Sequence, residues 1–210
     1  MASIFINTAA VLGCIALVVI VLSAIAPTRV EYTEEITIAA PIRRVFDDIR
    51  MQERLMRWSA WPKETKSQCS VDTTLSSSKE DGALGVQTVF FTKGKRFGHQ
   101  EVTKLVQNEL VSFTLEGGGP PHFPTMDFTL TPIGASETRV ELHFVNRVPP
   151  PFNAIWKFAG LSKWTRSMHL KDLTGLKAFS EPPHIANDGE TVDLDSPRPN
   201  PFEISMPGTV

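Results

Sequence analysis

The chain has 210 residues, 21% of them charged, with a formal net charge of −2 at pH 7. The charge is unevenly spread, because positions 182–210 hold five acids and one base and leave the chain before them mildly basic. That balance excludes the basic stripe of a nucleic-acid binder. The only cysteines, Cys14 and Cys69, are too few for a disulfide framework.

Residues 1–28 carry no charge. Ile4 to Ala26 is an apolar run interrupted by Asn7, Thr8, Gly13, Cys14 and Ser23, about the 20 residues an α-helix needs to cross a bilayer. It predicts an N-terminal membrane anchor over 1–28, with the membrane as partner through residues 4–26. Two other readings stay open. Ala24-Ile25-Ala26 fits a signal-peptide cleavage pattern, although no basic residue precedes the run and Pro27 would follow the cut. Val11-Leu12-Gly13-Cys14 has the form of a lipidation site, but most of the apolar run lies beyond it. Arg29, Arg43 and Arg44, all after the span, lean the domain towards the cytoplasmic side, while Glu31, Glu34 and Glu35 lie among them.

Residues 29–181 read as one domain. Val30–Ala40 alternates, with Tyr32, Ile36 and Ile38 on one face, and predicts a half-buried strand. Pro41 opens a helix through Ile42, Val45, Phe46 and Ile49, and a second short helix runs from Met51 to Trp58, ended by Pro62. Strands are predicted at Ser67–Leu75, Gly85–Lys93, Phe97–Val106, Leu110–Glu116, Thr125–Thr131 and Thr138–Asn146. The inward rows of the late strands are Val111, Phe113 and Leu115; Met126, Phe128 and Leu130; Val140, Leu142 and Phe144. One covered and one wet face is the mark of an antiparallel sheet. Gly117–Pro121 breaks the pattern and suggests a loop at a cavity mouth. After Pro149-Pro150-Pro151, one long helix is expected from Asn153 to Ser180. Positions 182–210, with six prolines, read as a disordered acidic tail.

The order of strand, two short helices, antiparallel strands and a long final helix resembles the helix-grip fold of the START-like (SRPBCC) superfamily, in its polyketide cyclase/dehydrase and lipid transport branch. ITIAAPIRRVFDDI, the Trp58-Ser59-Ala60-Trp61-Pro62 piece, GHQEVTKLVQNELVSF and LKDLTGLKAFSE carry the likeness, which covers roughly residues 30–181. The resemblance implies an α+β fold with a cavity between a curved sheet and the last helix, able to hold an apolar small molecule such as a lipid or quinone. It implies no shared catalytic set.

Aromatic and apolar positions are the candidate lining: Trp58 and Trp61 on the second helix, Phe90, Phe113, Phe128 and Phe144 on strands, and Trp156, Leu161, Trp164 and Met168 on the last helix. Plain core packing explains such residues equally well. His99 and Glu101 share one strand face. Inward, they would form an acid–base pair in an apolar pocket; outward, Val102 and Val106 face the core instead. Glu141 and His143 oppose an apolar row and read as surface. His122 lies in the Gly/Pro loop. No histidine or cysteine spacing suggests a metal, and no cofactor fingerprint is present. Three functions follow as expectations: a membrane-tethered carrier or sensor of an apolar ligand, a cyclase/dehydrase-like enzyme using His99 and Glu101, or an adaptor whose cavity is filled by its own side chains.

Overall fold

The computed structural model describes residues 2–117 and 123–182, with the side chains of the first helix described from position 11 onward. That helix, α1, spans Ala2–Ile25 without a charged residue. Over its described side chains, no helix is long and apolar enough to cross a membrane. Its side chains from position 11 to 21 are exposed, and its end is held. Asn153 Nδ2 donates to the carbonyls of Ser23 at 2.8 Å and Ala26 at 2.9 Å. Val148 N–H donates to Thr28 O at 2.8 Å.

Seven antiparallel strands follow: β1 (Arg29–Ile38), β2 (Gln68–Asp72), β3 (Gln87–Thr92), β4 (Lys95–Val106), β5 (Leu110–Glu116), β6 (Thr125–Gly134) and β7 (Glu137–Arg147). Their order in the sheet is β1-β7-β6-β5-β4-β3-β2. Between β1 and β2 come α2 (Ile42–Arg50), α3 (Gln52–Trp58) and α4 (Trp61–Thr65). After β7 come α5 (Phe152–Phe158) and α6 (Leu161–Ser180). This is the α+β helix-grip arrangement, with α6 laid against the concave face of the sheet.

The alternation places the core where expected. Val111, Phe113, Met126, Phe128, Val140, Leu142 and Phe144 are buried against Val45, Phe46 and Ile49 of α2 and Leu173 and Leu176 of α6. Trp58 closes this cluster, packing edge-on to Phe128 while its Nε1 donates to Asp48 O at 2.8 Å. Gly175 lets α6 press against the backbone of α3: a Cβ there would overlap the Trp58 carbonyl oxygen. Asp48 ties the two helix layers, accepting from Arg54 and from the Ser180 hydroxyl, both at 2.9 Å. Burial raises its carboxyl above the usual range despite these partners.

Two expectations need correction. The final helix is not continuous: Gly160, at φ +76°, sits in the left-handed region between α5 and α6. Such a glycine ends a helix because its carbonyls can be capped there at no Cβ penalty. The apolar stripe runs through this break, so periodicity alone hid it. Pro62 does not end a helix either, but lies in the first turn of α4, where its missing N–H is harmless. The tail from position 183 onward and most of the Gly/Pro loop, His122 included, lie outside the described residues.

Candidate functional site

A cavity of about 330 Å³ opens between the sheet, α3–α4 and α5–α6. Its floor comes from β3, β4, β5 and β7 through Phe90, Gln100, Leu115 and Phe144. Leu55, Met56, Trp61 and Pro62 wall it on one side; Trp156, Trp164 and His169 on the other. Trp61 and Trp164 meet edge to face across the gap, with ring centres 5.2 Å apart. Trp164 is 44% exposed and so stands at the rim. Gly117 and Pro124, which flank the undescribed loop, also line it.

Of the ten expected lining residues, Trp61, Phe90, Phe144, Trp156 and Trp164 line the cavity. Trp58, Phe113, Phe128 and Met168 are closed into the interior, and Leu161 is half-buried at the start of α6. Inward facing is common to all of these residues on the sheet. What separates them is position, because α2 fills the grip over Phe113 and Phe128 whereas, among the described residues, Phe90 faces the cavity.

The walls are apolar apart from a few groups, and those are ordered. His169 is 1% exposed, and its ring sits among Tyr32, Trp61 and Phe144. Its Nδ1 is 2.9 Å from the Tyr32 hydroxyl. Burial depresses the imidazole to about 4, so it is neutral at physiological pH. Burial also pushes the Tyr32 phenol upward. One turn further along α6, Asp172 is buried behind the helical wall, bonded to Ser59 and Ala60 between α3 and α4. Its Oδ1 accepts from Ala60 N at 2.6 Å and Ser59 Oγ at 3.1 Å. Burial still outweighs these bonds and raises the carboxyl to about 7. Thr88, on the wall, donates to Gln52 Oε1 at 2.8 Å. Two polar atoms are left over: Gln100 Nε2 and His169 Nε2 are buried without a partner among the described residues.

His99 and Glu101 are elsewhere. They lie on the outer face of β4, in a shallow dent with Thr103, Thr114, Glu116 and Phe123. Their side chains approach to 4.0 Å. Both have outer-face partners: Arg96 lies 3.2 Å from His99 Nδ1, and Gln87 donates to Glu101 at 2.8 Å. The inward residues of this strand are Gly98, Gln100 and Val102, and a register shift between Val102 and Lys104 then turns Leu105 rather than Val106 towards the core. The acid–base pair is therefore not part of the cavity. His143 bonds Glu31 at the surface, as its face predicts. Among the described residues no cluster of three His, Cys, Asp or Glu could hold a metal.

The polar residues of this region that the sequence did not single out are Gln100 and His169, which line the cavity, and Tyr32 and Asp172, which lie behind its wall. A signal existed for three of them. Gln100 shares the face of Val102, and His169 and Asp172 fall on the apolar stripe of α6 at helical spacing.

Residues 39–174 match the family described as activator of Hsp90 ATPase homolog 1-like protein. The chain belongs to this family. The family lies in the START-like (SRPBCC) superfamily, and the match runs from the end of β1 into α6, so that Gln100, His169 and Asp172 fall within it. Solved structures share the fold. A protein of Nitrosospira multiformis is 14% identical over 71% of this chain and 95% of its own, with a TM-score of 0.52. A hypothetical protein of Helicobacter pylori is 12% identical over 72% and 88%, with a TM-score of 0.52. Truncated norcoclaurine synthase from Thalictrum flavum is 12% identical over 71% and 94%, with a TM-score of 0.50. No curated protein matches the chain in sequence.

Proposed function

We propose that the protein is a membrane-tethered carrier or sensor that binds an apolar small molecule, such as a lipid or quinone, in the cavity between sheet and α6. The observation that carries this reading is the cavity itself. Protein interiors are close-packed, yet here about 330 Å³ lined by tryptophan, phenylalanine and leucine is left unfilled by the described side chains. That volume lies at the lower end of small-molecule sites. It also argues against an adaptor with a filled grip. The enzyme alternative loses its acid–base pair to the outer face of β4.

The tether is part of the proposal. A helix apolar on all sides needs an apolar surrounding, and Leu12, Leu17, Ile20 and Ile25 of α1 are all exposed. α5, held to the end of α1 by Asn153, shows Phe152, Ile155 and Phe158 on one side, the last two each 53% exposed. From Leu142 through Lys171 there are five lysines and arginines and no acid. Exposed aromatics beside Lys157 and Lys163 suit an interface with anionic headgroups. With Arg29, Arg43 and Arg44 after the span, the domain is assigned to the cytoplasmic side. Residues 1–28 then form the anchor, 29–181 the binding domain, and 182–210 the tail.

The test is to purify the full chain from membranes in a mild detergent, denature it, and identify released small molecules by mass spectrometry. A stoichiometric apolar species supports the proposal and names the ligand class. A protein that is empty and takes up no fluorescent lipid or quinone refutes it. Extraction from membranes by alkaline carbonate would refute the tether alone.

A further inference from the structure

We propose that the cavity selects a neutral molecule by holding a carbonyl-type oxygen between Gln100 Nε2 and His169 Nε2, an inference that rests on the carrier reading above. Buried polar groups in folded proteins are paired in about nine cases of ten or more. Here two nitrogens without a partner among the described residues belong to Gln100 and His169, 5% and 1% exposed, and both residues line the same apolar cavity. Of the other buried polar side chains on its wall, Thr88 is paired with Gln52 and Ser59 with Asp172, and the further unpaired atoms, on Asn146 and Asn153, belong to residues that do not line it. The pairing pattern therefore singles out these two atoms as the ones awaiting a partner.

Both are donors. A side-chain amide nitrogen has only hydrogens to offer. For His169 the tautomer follows from Tyr32, whose hydroxyl has the imidazole Nδ1 as its sole hydrogen-bond partner among the described residues. The phenol donates to Nδ1, and the ring proton is left on Nε2. Two donors without a nearby acceptor fit an oxygen that accepts, as in a ketone, quinone or ester.

Charge narrows the class further. Among the described residues no lysine or arginine lines the cavity, and the one carboxylate there, Glu116, would repel an anion. His169 is held neutral by its burial and supplies no positive charge. A fatty-acid carboxylate would thus enter unpaired. A hydrocarbon would displace whatever water serves the two nitrogens without replacing its bonds. A neutral carbonyl compound meets neither penalty, and each bond recovered is worth about tenfold in affinity.

The experiment uses the full chain, with ¹⁵N-labelled side chains, in lipid nanodiscs. It is titrated with three probes of similar length: 2-undecanone, undecane and undecanoate. Indole resonances of Trp61, Trp156 and Trp164 report entry into the cavity, and the His169 Nε2 and Gln100 amide resonances report the contact. The ketone is expected to shift both nitrogens and to bind at least tenfold more tightly than either other probe at equal mole fraction in the bilayer. His169→Phe and Gln100→Leu should each lower that preference about tenfold, and the two together should remove it, while leaving undecane uptake in place. Equal affinity for ketone and alkane, tightest binding by the carboxylate, or a preference that survives both substitutions would overturn the inference and leave the carrier reading intact. Entry by none of the probes would overturn both. The comparison of probes on the unaltered chain stands even if a variant fails to fold.

Discussion

Replacing Asp172 by asparagine should change how stability depends on pH rather than simply lower it. The unfolded carboxyl loses its proton near pH 4, whereas the buried one keeps it to about 7. Between these values the native state binds one more proton than the unfolded state, so stability falls as pH rises, by about 1.4 kcal/mol per pH unit and about 4 kcal/mol in all. His169, one turn away, acts in the opposite sense. Its native form stays neutral down to about 4, while the unfolded form protonates from about 6.5 downward. Stability from this group rises with pH across that window, by about 3 kcal/mol. The two slopes cancel between about pH 4 and 6.5 in the unaltered chain. In Asp172→Asn the amide oxygen can still accept from Ala60 N and Ser59 Oγ, but the titration is gone and the histidine slope is uncovered. Urea unfolding of the full chain in non-ionic detergent, followed by tryptophan fluorescence at pH 4.5, 5.5 and 6.5, measures this directly. The stability of Asp172→Asn relative to the unaltered chain should increase by about 1.4 kcal/mol with each step. Other titrating groups, including Asp48, cancel in that difference. A difference that stays constant with pH would mean that Asp172 is ionised in the folded protein, and the reasoning from burial would be wrong.

Gly175→Ala should destabilise the fold by about 2 kcal/mol despite a better helix propensity, because the new Cβ meets the Trp58 carbonyl oxygen; a thermal midpoint equal to or above that of the parent would refute the close approach. His99→Gln with Glu101→Gln should leave ligand uptake within twofold of the parent, since both lie on the outer face of the sheet; loss of uptake would return them to the cavity. Asn153→Ala removes two hydrogen bonds to the end of α1 and should loosen that junction by about 1–3 kcal/mol. Amide exchange at Val148, whose N–H donates to Thr28 O, would then quicken at least tenfold, and unchanged exchange would count against the clamp.

The strands were legible because a sheet covered on one side imposes a period of two. Leu110–Glu116 forms β5 with the bounds that its alternation predicts, and the inward rows of β6 and β7 are the observed core. Alternation says which side of a strand is covered, but not what covers it. Phe113 and Phe90 have the same sequence character, yet one meets α2 and the other an open cavity. That distinction arises from the placement of helices distant in sequence. Gly160 was legible in principle, since a glycine inside an apolar stripe is a common helix stop. His169 was not: its tautomer depends on Tyr32, 137 positions earlier, and its unpaired atom is visible only once the cavity exists.

The proposed tether and the proposed site meet in one short helix. At one end of α5, Asn153 grips the last carbonyls of α1. Three residues on, Trp156 forms part of the cavity wall. At the far end, Gly160 joins α5 to α6, which supplies Trp164, Thr165 and His169 to the same cavity. A membrane held through α1 would therefore lie against the element that borders the cavity, not against the closed core under α2. A ligand leaving the bilayer would meet the site at an effective concentration set by this short connection rather than by diffusion through water. That geometry favours a weak, rapidly exchanging site, and one pair of donors in an otherwise apolar cavity is suited to it. In such a site selectivity would come from the proposed carbonyl contact, while most of the affinity would come from proximity.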